Sequence, residues 1–288
     1  MLILLAAGPA MAADMQKAPI LKALPKPIYN WTGFYIGGNL GYGWGRGDTD
    51  FTDSSTSVVT EFRGSPPLTV CPTPLACPAL PAGFGAATLG GASGGADING
   101  VLGGGQIGYN AQFNNWVLGL EADIQATGQR GSVALLDPIN NVLATVNDKM
   151  PWFATFRGRV GITLTPTWLL YATGGAALAE VNQDFAVGTP GGAVTAWSAN
   201  STRWGWVVGG GAEAAIENTN WTIKGEFLHM DFGSVGSSMA TGTTTTTLLN
   251  FPAAGFSSVV AASTAASFNS RMTDNIVRVG LNYRLSSR

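Results

Sequence analysis

From Trp116 to Thr127 the even positions hold Trp116, Leu118, Leu120, Ala122, Ile124 and Ala126, while Glu121, Asp123 and Gln125 fall on odd ones. A period of two marks a β-strand with one apolar and one polar face. The rule recurs. Trp152, Ala154, Phe156, Val160, Ile162 and Leu164 alternate with Thr155, Arg157, Arg159 and Thr163; Trp204, Trp206, Val208, Ala212, Ala214 and Ile216 oppose Glu213. Trp221, Ile223 and Phe227 oppose Lys224 and Glu226, and Val277, Val279, Leu281, Tyr283 and Leu285 oppose Arg278, Asn282 and Arg284. Three further segments, Phe34 to Trp44, Val101 to Gln112 and Trp168 to Val181, of which only the last carries a charge, Glu180, fit the same pattern and bring the expected count to eight strands.

Which face meets the surroundings follows from composition and magnitude. Only 11% of the chain is charged and 45% is hydrophobic, about half the charge that a water-facing surface usually carries. No run after residue 13 approaches the roughly 20 apolar residues that a spanning helix needs. An apolar exterior made of strands is what remains. Glu121, Asp123, Arg157, Arg159, Glu213, Lys224, Glu226, Arg278 and Arg284 all lie on the polar set, four acids against five bases. Exposing them to lipid would cost on the order of 10 to 20 kcal/mol, more than a typical net stability. They are expected to point inward and neutralise one another as a lumen charge network.

The connections sort into two kinds. Phe113-Asn114-Asn115, Thr165-Pro166-Thr167 and Glu217 to Asn220 read as tight turns, whereas 47–100, 128–151, 182–203 and 232–274 read as long loops rich in Gly, Ser, Thr, Ala and Pro. Alternating short and long connections predict an all-β fold: an eight-stranded antiparallel up-and-down transmembrane β-barrel over 31–285, with both termini on the periplasmic side. Trp116, Trp168 and Trp221 each follow a tight turn, and Trp44, Trp152, Trp204 and Trp206 sit at the loop ends. Indoles favour the membrane interface, so these predict two aromatic girdles. Glu180 and Asp231 break the parity rule but lie far enough along their strands to belong at the outer rim.

Residues 1–12 read as a signal peptide shortened at its N-terminus, with Ala10-Met11-Ala12 as its cleavage pattern, and 13–30 as a Pro- and Lys-rich periplasmic leader. Export agrees with Cys71 and Cys77, which are able to close a small disulfide loop in an oxidising compartment.

Tyr29-Asn30-Trp31-Thr32-Gly33-Phe34-Tyr35-Ile36-Gly37-Gly38-Asn39-Leu40-Gly41-Tyr42-Gly43 resembles the first-strand signature of the small outer-membrane β-barrel family common in alphaproteobacteria. Arg278, Gly280, Tyr283 and Leu285 resemble the terminal assembly signal of such barrels, with Leu285 where the family usually has an aromatic and Ser286-Ser287-Arg288 trailing behind. The resemblance implies an integral protein of the outer membrane. It further implies outer-membrane lipid, lipopolysaccharide and the assembly machinery as partners, and an external ligand for the loops.

No catalytic, cofactor or metal site is expected. Gly103 to Gly108 satisfies G-x-G-x-x-G, but another strand follows it instead of a helix. His229 near Asp231 reads as a rim aromatic rather than an acid–base pair. Asp48, Asp50 and Asp53 in the first long loop suit a divalent-cation site and solvated loop acids equally well. With a net charge of −2 and no basic cluster, nucleic acid is not an expected partner. Eight strands leave an interior just wide enough for side chains. The expectation is therefore a structural barrel rather than an enzyme, with a narrow porin-like channel and a lipid-modifying enzyme as the alternatives.

Overall fold

The computed structural model describes residues 29–64, 87–139, 141–188, 191–192, 194–241, 247–251 and 256–285. The signal segment 1–12, the leader 13–30 apart from Tyr29 and Asn30, and Cys71 and Cys77 lie outside the described residues. The strands are β1 Gly33–Gly64, β2 Ala87–Phe113, β3 Trp116–Asp137, β4 Val142–Thr165, β5 Trp168–Gly188, β6 Val194–Ala215, β7 Trp221–Thr241, β8 Thr247–Phe251 and β9 Phe256–Arg284. Consecutive long strands pair antiparallel, and β9 returns to pair with both β7 and β1, so that eight strands close in a ring. The short β8 pairs with the far end of β9, at Phe256–Val260. Two tight turns are made by asparagines in the left-handed region, Asn114 with φ 52° and Asn218 with φ 61°, a conformation asparagine adopts more readily than other residues with a Cβ.

The long strands run from 21 to 32 residues, whereas about 9 to 11 suffice to cross a bilayer. Much of 47–100, 128–151, 182–203 and 232–274, read from composition as loop, is paired strand. The β3–β4 ladder, for example, continues from Trp116↔Ile162 to Asp137↔Val142. The reason is physical: Gly, Ser, Thr and Ala are poor advertisers of strand, yet a ladder already registered by its membrane part extends through them at little cost.

Tryptophans mark where the membrane ends. Trp152 pairs with Ala126, ten residues along β3 from Trp116; Trp204 pairs with Leu178, ten along β5 from Trp168; Trp206 pairs with Asp231, ten along β7 from Trp221. Ten residues at about 3.3 Å each, on strands tilted by roughly 40°, give an apolar band about 25 Å tall. At the outer girdle three register shifts occur, at Ala126/Gln129, Lys149/Trp152 and Asp231/Ser234. Pro151 lies in the second of these, where its missing N–H removes no ladder bond. There β4 changes the parity of its buried side chains, from Met150 to Phe153.

Candidate functional site

The interior is filled in layers. At the mouth nearest the short turns Trp31, Val117, Leu169, Tyr171 and Ala215 form an apolar plug, with Tyr29 packed against it. Trp31 anchors the N-terminal segment there by donating its backbone N–H to Gln112 Oε1 at 2.8 Å.

Above the plug lies the charged core. β4 aims Arg157 and Arg159 inward, β3 supplies Glu121 and Asp123, β6 Glu213, β7 Lys224 and Glu226, and β9 Arg278; all eight are buried. Arg157 is wholly inaccessible. Its Nη1 donates to Glu226 at 2.9 Å, Nη2 to Asp123 at 2.7 Å and also to Glu121, and Nε to Thr155 at 3.0 Å. Arg278 donates to Glu226 at 2.7 Å and to Asp123 at 3.1 Å. Lys224 Nζ stands 3.0 Å from both oxygens of Glu121. Arg159 pairs with Glu213 at 2.8 Å and stacks 4.0 Å from the centre of the Tyr171 ring. Four acids meet four bases, so the core is neutral as a unit, which is the condition under which buried charges are tolerated.

Arg284 is not part of this core. It lies at the mouth with its guanidinium 4.5 Å from the Tyr29 ring centre, which corrects the count of four acids against five bases.

Sequence reading placed Asn282 on the polar set but missed Tyr35, Tyr171, Thr222, Asn39 and Gln106, which complete the network with it. Tyr35 donates to Glu121 at 2.7 Å and Tyr171 to Glu226 at 3.2 Å. Thr222 and Asn282 donate to Glu213, and Asn39 donates to Gln106, whose amide in turn reaches Asn282. Their signal was parity: each shares the inward set of its strand. The glycine run has its own explanation, because a Cβ on Gly108 would collide with the Tyr35 phenol. That close approach brings the hydroxyl to Glu121.

Above the charges comes an apolar layer that includes Ile98, Leu102, Met150, Phe153, Leu228, Met230, Phe232, Met272 and Ile276. Beyond the outer girdle Asp148, Gln183 and Arg203 form a small polar level, with Gln183 bridging the other two at 2.7 and 2.8 Å. Phe51, Leu135, Ala144, Val146, Phe185, Ala266 and Phe268 then make an outer apolar core. Asp53 is buried at 2% exposure, so it is not the solvated loop acid its setting in the sequence suggests. Asp48 and Asp50 face outward and are exposed.

The profile of the outer membrane protein beta-barrel domain matches residues 1–284. The chain belongs to this family. Relatives of this outer-membrane barrel include the 31 kDa outer-membrane immunogenic proteins of Brucella melitensis biotype 1 and Brucella suis biovar 1. Each is 34% identical over 229 residues, covering 78% of this chain and 81% of the relative. A 22 kDa outer membrane protein of Rhizobium leguminosarum bv. viciae is 32% identical over 133 residues, 46% of this chain and 53% of its own length. Among solved structures, the outer membrane protease OmpT from Escherichia coli aligns with 87% of this chain and 97% of its own at 10% identity and a TM-score of 0.41. Ail of Yersinia pestis aligns with 86% and 99% at 9% identity and a TM-score of 0.27. The protein resides in the outer membrane.

The remaining sequence-predicted residues of the barrel find these places. Trp44, Trp116, Trp168, Trp204, Trp206 and Trp221 are exposed on the outer surface, and half-buried Trp152 donates its indole N–H to Glu180 at the rim at 2.7 Å. His229 sits beside Trp206 with Nδ1 2.8 Å from Asn275 Oδ1. Asp231 is engaged by Arg271 at 2.7 Å. In the terminal strand Arg278 points into the core, Gly280 faces Asn39, and Tyr283 and Leu285 face outward. Tyr283 packs edge-on against Trp221 at 5.0 Å.

Proposed function

We propose that this protein is a sealed structural barrel of the outer membrane, contributing to envelope integrity and holding a rigid wall beyond the membrane for surface interaction. The observation that carries this reading is the stacking of a neutral charged core and two apolar layers across the lumen. Phe153, Leu228, Met230, Ile276, Val146 and Phe268 are each at most 2% exposed. A continuous ionic path would have to cross both apolar levels, which dewetted constrictions oppose. Purified protein in a planar bilayer is expected to give no steady conductance above that of bare lipid. Reproducible unitary channels would favour the narrow porin instead.

The protein is read as non-enzymatic. His229 is held by Asn275 and Trp206, and its acidic neighbour Asp231 serves Arg271. A His229→Ala variant is expected to leave the lipid profile of the membrane unchanged, and an altered profile would revive the lipid-modifying alternative. Arg46, Arg130, Lys149 and Arg271 are exposed just past the outer girdle, at the depth of headgroup phosphates. This placement supports outer-leaflet lipid and lipopolysaccharide as partners.

A further inference from the structure

The ladder between β6 and β7 stops at the pair Trp206↔Asp231, although β6 begins as far out as Val194 and β7 continues to Thr241. Past that pair β6 stays on β5 as far as Gly188↔Val194, and β7 stays on β9 as far as Thr241↔Thr264. Among the described residues the projecting wall therefore has a seam bounded by two strand edges without a ladder between them.

The fork is built by side chains. Gly233 turns in the left-handed region at φ 67°, within the register shift between Asp231 and Ser234. Asp231 accepts the Gly233 N–H at 2.8 Å and grips Arg271 of β9 at 2.7 Å. These contacts tie β7 to β9 where it leaves β6. A cavity of about 330 Å³ opens at the fork, lined by Trp204, Trp206, Asp231, Phe232 and Arg271.

The free edge of β6 has a definite chemistry. Ala215 N–H reaches Thr167 O on the β5 side, and Ile216 N–H reaches Trp221 O on the β7 side. Backbone direction alternates along a strand, and the β5–β6 ladder has no register shift. The amides of Ala196, Ser198, Asn200, Thr202 and Trp204 thus point into the seam. The segment 194–202 contains no lysine, acid or proline, the usual devices that blunt an edge. Inward-facing Trp197, Ala199 and Ser201 are only half-buried, whereas Phe185 and Val181 on β5 are 2% and 0% exposed. Trp197 packs on Phe185 at 5.2 Å and on Phe268 at 5.7 Å, forming an apolar shelf beneath the edge.

We propose that this seam accepts an extended segment of a partner polypeptide outside the cell, added antiparallel to β6 with apolar residues at alternate positions laid on the Trp197 shelf. The proposal rests on the reading of this end of the barrel as external. A slender single chain suits the site better than a second barrel, because Trp204 and Trp206 project from the foot of the seam with 72% and 49% exposure and hold two walls apart.

The test uses the full chain folded in lipid nanodiscs and a fluorescent peptide copying residues 179–188, a sequence that already pairs antiparallel with β6. Saturable binding by anisotropy is expected. Asn200→Pro, which removes a seam-facing N–H, should weaken it at least tenfold, and Asn200→Ala, which keeps that N–H, less than twofold. A peptide N-methylated at alternate residues should not bind. Heat-modifiable migration on an unboiled gel establishes first that each protein is a folded barrel, so that loss of binding is read as loss of the edge. No saturable binding to folded protein would overturn the proposal, as would equal weakening by Asn200→Ala. A dimer that forms with rising protein concentration and vanishes in Asn200→Pro would give the seam to a second copy instead.

Discussion

Below the outer girdle this barrel hides its charges and wears an apolar coat; above it the same strands bury a mainly apolar core and turn charges such as Arg46, Asp48, Arg130 and Lys149 outward. On β3, Glu121 and Asp123 point inward and Leu118, Leu120 and Ile124 outward, whereas ten or so residues later Val133 and Leu135 point inward and Arg130 and Ser132 outward. The parity of the strand is unchanged across this boundary, and what changes is which parity carries the apolar residues. The surrounding medium accounts for the inversion. Lipid offers nothing to a charge, so the membrane half places ions where other ions can meet them; water favours the ordinary arrangement of an apolar core and polar surface. One closed sheet thus contains two solutions to burial, joined at a rim of bulges and tryptophans.

The largest effect should come from breaking the charged core. Arg157→Ala leaves Glu121, Asp123 and Glu226 sharing only Arg278, Lys224 and Arg159. Removing one partner of a buried network costs about 3 to 5 kcal/mol. Lys149→Ala breaks an exposed pair with Asp184 at 3.0 Å in the projecting half, the kind of contact worth about 0 to 1 kcal/mol. Urea unfolding of folded protein in detergent should separate the two by several-fold in ΔΔG, and comparable losses would end the distinction between the halves.

Next comes the core of the projecting wall. Phe268 packs against Phe51, Phe185 and Trp197 with ring centres 5.0, 4.7 and 5.7 Å apart. Phe268→Ala should cost about 3 to 5 kcal/mol, confined to the outer half. Brief proteolysis is expected to trim the projecting strands while a heat-modifiable membrane core survives; loss of the whole barrel would show that the halves fold as one unit.

A more direct transposition uses one strand and one parity. Leu120 and Leu136 both face outward from β3, 56% and 53% exposed. Leu120→Arg places a charge in lipid and should cost about 2 to 4 kcal/mol, whereas Leu136→Arg should stay within about 0.5 kcal/mol. Equal penalties would move the membrane boundary assigned to the outer tryptophans.

This inversion also explains what could be read in the chain and what could not. The membrane half was legible because nine charges on one parity and Trp116, Trp168 and Trp221 at strand starts leave few alternatives. The projecting half reads as loop because alternation there relies on Thr, Ser, Ala and Gly, whose contrast between faces is weak. Two signals stood in plain view. Asp137-Pro138 and Thr189-Pro190-Gly191-Gly192 are turn sequences placed mid-way through the supposed loops. Each divides its segment into two arms, and Asn141 and Gly191 take the left-handed conformations that such turns require, at φ 52° and 78°. The fork between β6 and β7 was not legible, since it depends on Asp231 gripping a residue 40 positions away.

The smallest effect tests whether the projecting half keeps even one uncompensated ion. Asp148 is fully buried, receives one hydrogen bond from Gln183 at 2.7 Å, and has its second oxygen, Oδ2, without a hydrogen-bond partner among the described residues. Burial raises its carboxyl above the usual aspartate range, with the Gln183 hydrogen bond and the more distant Arg203 charge only partly opposing this. A folded state that holds its proton more tightly than the unfolded chain loses stability as pH rises through that raised pKa. Asp148→Asn removes the ionisation and keeps an oxygen for Gln183. It should therefore stabilise the outer half by about 1 kcal/mol or less near pH 8, with the gain shrinking towards zero as the pH falls below about 4, where the wild-type carboxyl is protonated in both states. Amide exchange in β4 and β5 measured at both pH values reads this out. A gain independent of pH would mean that packing, not charge, sets the cost of Asp148. It would also mean that the two halves differ less in their tolerance of ions than their side-chain patterns imply.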